Sequence, residues 1–167
     1  QACEIRLDHV KELADLYTAQ AFITTDLDDN QITAFHPGAM MRSYENHVRD
    51  VKDVGFGIVG PDGYEAMLQN STEFAELGIP FIFDPGQQCA RMSGGELRDG
   101  VTGATIVILN DYELELLRQK TGFGETEILG VAKALIVTRG EHGSSVITAG
   151  GRVDVEAVAP DRIVDPT

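Results

Sequence analysis

The stretch best suited to chemistry is Asn110-Asp-Tyr-Glu113. It follows an aliphatic run, Ala104 to Leu109, and precedes an apolar pattern at Leu114, Leu116 and Leu117. Two readings of the Asn/Glu pair stay open at this level. In the first, Asn110 is a helix N-cap and Glu113 is the N3 residue reaching back to it, a capping box. In the second, a helix N-terminus and a carboxylate stand together at the end of a buried strand. That is where open α/β sheets bind ligands, and where phosphates and their metal ions collect.

Other polar groups occupy comparable places. Asp84 ends the run Pro80–Phe83 and precedes Pro85, so a turn would also explain it. Thr138 and Gly140 follow the run Ala134–Val137. Asp26-x-Asp28-x-Asn30 begins like a calcium loop but fails it, with Gln31 at the sixth position and Pro37 at the twelfth. The four histidines, His9, His36, His47 and His142, have no metal-ligand spacing. Cys3 and Cys89 form neither a C-x-x-C nor a disulfide framework, which predicts reduced thiols in a cytoplasmic protein.

The surrounding pattern supplies elements to position these groups. Residues 7–16 carry apolar side chains at 7, 10, 13 and 16, a weak helix template. Residues 18–37 read as a β hairpin with an acidic tip, and 39–48 as a short helix. Strands are predicted at 56–59, 80–83, 104–109 and 134–137, and helices at 64–77, from Ser93 onward, at 111–120 and at 126–133. Gly78 is placed to stop the first of these helices, and Ser93 with Glu96 to cap the second. Residues 144–148 and 152–157 read as a second hairpin, and 163–167 as a strand running onward. Strands alternating with helices predict βαβ units, a parallel sheet and an α/β fold. Right-handed crossovers then bring Asp84, Asn110, Glu113, Thr138 and Gly140 to one rim.

Composition bounds the partners. With 167 residues, one domain is expected. A net charge of -14 repels phosphate backbones and anionic lipid, which argues against nucleic acid and membrane surfaces. No apolar run approaches spanning length. A start on Gln1 predicts an internal piece of a longer protein.

Several segments, taken in order, resemble the ribokinase-like (PfkB-type) sugar and nucleoside kinases. The hairpin AQAFITTDLDDNQITAFHPGAM resembles the family's lid strands. FIFDPGQQ resembles the strand and loop beneath the substrate, NDYE the N-x-x-E motif, and IVTRGEHGS the nucleotide loop. VDPT resembles the first half of D-x-T-G-x-G-D. Within the family, DPGQQCARMSGGELR, NDYELELL-x-x-KTG and HPGAM are most like the bacterial adenosine kinases.

The resemblance implies a doubly wound, mostly parallel sheet with a small β lid, and residues 7–16 largely extended. It implies ATP-dependent phosphorylation of the adenosine 5′-hydroxyl. A ribose or fructose kinase is the alternative within the family, and a non-catalytic nucleotide-binding module the alternative outside it. Asn110 and Glu113 would hold Mg2+ and the phosphates, largely through water. Thr138 and Gly140 would line the nucleotide, Gln87 and Gln88 would face the nucleoside, and Phe35 would stack on the base. Asp165 and Thr167 would begin a loop that in many members also binds K+. A second aromatic is expected on the outgoing lid strand, but Ala21 stands there, with Phe22 beside it. The general base is expected just after Thr167, so the chain contains no catalytic residue of its own. Lid hairpins in this family often pair between subunits, which implies a homodimer.

Overall fold

The computed structural model describes residues 7–26 and 30–159. Its centre is a six-stranded sheet in the order β3 (Gly57–Val59), β4 (Phe81–Phe83), β5 (Ile106–Asn110), β6 (Ala134–Thr138), β7 (Ser144–Thr148), β8 (Gly151–Val155). β3 to β6 are parallel neighbours, while β7 and β8 add on antiparallel. A separate two-stranded antiparallel ribbon, β1 (Gln20–Thr25) and β2 (Gln31–His36), precedes them.

Each parallel step carries a helix: α1 (Tyr64–Glu76), α2 (Gly94–Gly103), then α3 (Asp111–Thr121) with the short α4 (Glu125–Leu129). The strand order advances in one direction, so right-handed crossovers put these helices on one face. Burial alternates accordingly. Phe81, Phe83, Val107, Leu109, Leu135 and Val137 are buried with Met67, Phe74, Leu97, Val101, Leu117 and Ile128 from the helices. Ile82, Ile106, Ile108 and Ile136 point to the opposite, half-buried face, where Ile58 is 67% exposed.

The helix ends follow their residues. Ser93 and Glu96 make a capping box at α2, and Asn110 and Glu113 another at α3. Gly78 and Gly122 end α1 and α3 at φ +66 and +78, in the left-handed region that costs a glycine nothing.

Some expectations change. Residues 7–16 form no helix, only turns closed by Val10 N–H to Leu7 O and Leu16 N–H to Leu13 O. A constant spacing of three drifts by roughly 60° per step on a helix of 3.6 residues per turn. Leu7, at 68% exposure, has no apolar partner to correct the drift. The short helix of 39–48 is a 3-10 segment, Gly38–Glu45, kinked at Arg42, followed by another at Val48–Asp50. The helix of 126–133 stops at Leu129, because Gly130 follows and Lys133 already donates to Thr105 O at the start of β6. Asp26 and Asn30 close the expected hairpin. Asn30 N–H and Nδ2 donate to the two Asp26 carboxylate oxygens, each at 3.0 Å. The strand expected at 163–167 lies outside the described residues.

Candidate active site

The site is carved by unequal strand lengths. The β4–β5 ladder ends at Phe83 opposite Val107, whereas the β5–β6 ladder continues to Asn110 opposite Thr138. Ile108, Leu109 and Asn110 therefore overhang β4. The chain leaving β4 turns away through Asp84, Pro85 and Gly86. The space left is a cleft of about 360 Å3 floored by Ile108 and Leu109 and rimmed by Asp84, Gln87, Asn110, Glu113 and Thr138. A larger apolar hollow of about 450 Å3 between α1 and α2 shares none of these residues. It opens beside Gly100 and Gly103, between the two helices and away from the strand ends, with Glu76, Glu96 and Asp99 in its lining.

Asn110 and Glu113 divide their atoms between two tasks. Glu113 N–H donates to Asn110 Oδ1 at 2.7 Å, and Asn110 N–H donates to Glu113 Oε2 at 2.9 Å. The cap thus uses one oxygen of each side chain. Asn110 Nδ2 and Glu113 Oε1 have no hydrogen-bond partner among the described residues, and both residues line the cleft. The capping and ligand readings of this pair are compatible, because different atoms serve them.

Asp84, which a turn would also explain, lines the cleft with Asn110 and Glu113. Burial pushes its carboxyl pKa up, the Glu113 charge pushes it further, and a Gly86 amide pulls it partly back. Two carboxylates therefore face one cleft. The signal available in the sequence was its position, one residue past a buried strand, in line with Asn110 and Thr138. Asp84 and the free Oε1 of Glu113 offer carboxylate oxygens, the ligand type preferred by a hard divalent cation. No group of three or more His, Cys, Asp or Glu placed to hold a metal exists among the described residues.

The remaining expected residues separate. Gln87 lines the cleft, but Gln88 does not: its Nε2 donates to Asp62 O at 2.9 Å and pins the loop. Thr138 lines the cleft beside Asn110. Gly140 lies outside the lining, at φ +53 with no atom within reach of an added Cβ. Phe35 sits on β2, 53% exposed and directly opposite Ala21, so the two share a face. Phe22 pairs with Ala34 on the other face. Asp165 and Thr167 lie outside the described residues.

Comparison with known proteins gives one consistent picture. The family model described as "pfkB family carbohydrate kinase" matches residues 1–167. A nucleoside kinase of Methanocaldococcus jannaschii is 28% identical over 153 residues, covering 90% of this chain and 49% of that protein. The chain spans about half the length of the curated relatives it matches. The Burkholderia thailandensis nucleoside kinase, solved in complex with inosine, is 50% identical with a TM-score of 0.92, over 98% of this chain and 54% of that one. The same protein has been solved in complex with ADP-inosine. Ribokinase from Thermotoga maritima shares the fold at 16% identity and a TM-score of 0.66, over 89% of this chain and 51% of that one.

Proposed function

The chain belongs to the pfkB family of carbohydrate kinases, and on that premise we propose that it forms the central part of one ribokinase-like domain that transfers the ATP γ-phosphate to the 5′-hydroxyl of a purine nucleoside in the cytoplasm. Adenosine is the first acceptor to expect, from the resemblance of its loops to those of bacterial adenosine kinases. Inosine is the second, because a 50% identical relative was solved with it. The observation that carries the reading is the overhang cleft, where three parallel strands deliver Asp84, Asn110 with Glu113, and Thr138 to one place.

The reaction joins the 5′-oxygen to the γ-phosphorus and breaks its bond to the bridging oxygen, which leaves with ADP. Such transfer needs positioning and charge neutralisation more than covalent help. When bound, Mg2+ supplies the positive charge that the phosphates require. In this reading Asp84 and Glu113 hold the ion through water. The free Asn110 amide donates to a phosphate at the α3 N-terminus, where the helix dipole also favours an anion. Thr138 and Gly140 border the phosphate path, and Gln87 orients the nucleoside with a side chain that both donates and accepts. The proton of the hydroxyl goes to a base outside the described residues, which the resemblance assigns to the aspartate of G-x-G-D. Asp165 and Thr167 are the corresponding assignment for K+.

The ribbon of residues 18–37 is assigned as the lid, with Phe35 over the base and Ala21 leaving the opposite wall open. Phe22, Ile23, Ile32 and Phe35 are all more than half exposed, spread over both faces. One face is then free for the cleft and the other for a second subunit, which supports a homodimer. A coupled ADP-release assay on the full-length protein tests the function, with adenosine and inosine set against ribose and fructose. Turnover with nucleosides is expected. Turnover confined to free sugars would replace this reading with the sugar kinase, and no turnover with any acceptor would leave a nucleotide-binding module.

A further inference from the structure

Lys120 lies near the far end of α3 from Asn110, outside the cleft, yet it holds one wall of it. Its Nζ donates to three main-chain carbonyls, Cys89 O at 3.0 Å, Ala90 O at 2.6 Å and Met92 O at 2.8 Å. An ammonium group has three N–H donors and no acceptor, so this side chain is fully committed. The carbonyls close the 3-10 turn Gly86–Ala90, whose last carbonyls have no partner within the turn.

The same turn is tied elsewhere. Gln88 Nε2 holds Asp62 O, and the Cys89 thiol donates to Glu113 O at 3.7 Å. α3 is fixed in its turn. Gly94 packs so closely on it that an added Cβ would lie 2.2 Å from Lys120 O. Arg98 Nε and Nη2 donate to Thr121 O at 3.1 and 2.9 Å. The turn is thus bound to α3 near both ends of the helix. One end of α3 carries Asn110 and Glu113, and the turn carries Gln87.

We propose that Lys120 is a positioning residue for the nucleoside: by clamping the turn 86–90 to the far end of α3 it sets the position of Gln87 relative to Asn110 and Glu113. The phosphate-side and nucleoside-side walls then form one rigid piece. This rests on the reading of the cleft as a nucleoside and phosphate site. The clamp acts through the turn that carries Gln87, and the cap contacts of Asn110 and Glu113 do not involve Lys120.

The test uses Lys120→Met in the full-length protein, which keeps the stem and removes all three donors. The nucleoside KM should rise about tenfold, with kcat and the ATP KM within about twofold, since a small misplacement of a positioning group is costly. Amide hydrogen exchange over 86–92 should quicken in the ligand-free variant, while Asn110 to Glu113 stay protected as before. Unchanged KM with only a lower melting temperature overturns the proposal, and so do nucleoside and ATP KM values rising together. Lys120→Arg is the second variant should the first not fold. Its planar fork cannot converge on three carbonyls, so a severalfold rise in nucleoside KM is expected, and a wild-type value overturns the clamp. The exchange measurement needs no turnover. A wild-type protein inactive on nucleosides would sink the functional reading, whereas unchanged exchange in the variant would sink the clamp.

Discussion

Asn110 and Thr138 are register partners on the last rung of the β5–β6 ladder, two residues beyond Ile108, where β5 has already lost β4 as a neighbour. That stagger creates the cleft. The longer central strands carry their polar ends past β4, and Asp84 turns in from the shorter one. The rim of the cleft is thus a consequence of strand length, and its chemistry comes from the residues each strand ends on.

Glu113 separates the cap from the site. Glu113→Gln retains an oxygen able to accept the Asn110 N–H, so the cap should survive and the melting temperature should stay within about 2–4 °C of wild type. The Mg2+ concentration for half-maximal activity should rise by about tenfold, as expected when an outer-shell metal partner is weakened. Loss of thermal stability with unchanged Mg2+ dependence would falsify the metal role and leave Glu113 a capping residue.

Asp84 should cost stability in the empty protein. Burial and the Glu113 charge raise its pKa in the folded state. A raised folded pKa contributes stability below the unfolded value of about 3.9 and loses it as pH rises through the folded value. At neutral pH the ionised group is therefore unfavourable. Asp84→Asn should raise the ligand-free melting temperature by about 2–4 °C at pH 7, with a smaller gain at pH 4. The stabilisation that added Mg2+ gives the wild type should vanish. A variant that melts lower at pH 7 and still responds to Mg2+ would return Asp84 to the role of turn former.

Gly86 holds the loop between Asp84 and Gln87 at φ +48, and an added Cβ would lie 2.4 Å from Pro61 Cγ. Gly86→Ala combines left-handed strain with a collision against a ring that has little room to move. A loss of about 1–3 kcal/mol is expected in denaturant unfolding, with a raised nucleoside KM in the full-length protein. Wild-type values for both would show that the loop relaxes freely.

Glu73, only 3% exposed, anchors the segment before β3 to α1. His47 Nδ1 donates to its Oε1 at 2.7 Å and Arg49 Nε at 3.0 Å. Burial pushes the Glu73 pKa up, but the His47 and Arg49 hydrogen bonds outweigh it and the net shift is downward. A depressed folded pKa gives stability that is present above the unfolded value of about 4.3 and lost as pH falls through the folded value. Glu73→Gln should cost about 2 kcal/mol at pH 7, and the gap to wild type should close as pH falls below about 4. Melting curves from pH 7 to pH 3 check this, and a gap that persists at pH 3 assigns the loss to packing.

The sequence by itself determined the alternation of strands and helices, both capping boxes and the glycine stop of α1. These follow from short-range rules: aliphatic runs bounded by polar residues, Ser93 with Glu96, Asn110 with Glu113, and Gly78 in the left-handed region. It also carried Asp84, Asn110, Glu113 and Thr138 to one rim, because each ends or follows a strand whose direction the βαβ rule dictates, while Gln87 came from the family resemblance. Only the tertiary structure decided which atoms of Asn110 and Glu113 remain free, that Gly140 falls outside the cleft lining, and that Gln88 serves Asp62 while Gln87 faces the site. It also decided that residues 7–16 are not helical. These outcomes depend on distances between segments far apart in the chain. A strand register, an overhang and a lysine reaching three carbonyls some 30 residues away leave no periodic trace in sequence. The physical reason is that a cap is settled within one turn of helix, whereas a cleft is the space left when separate strands stop at different heights.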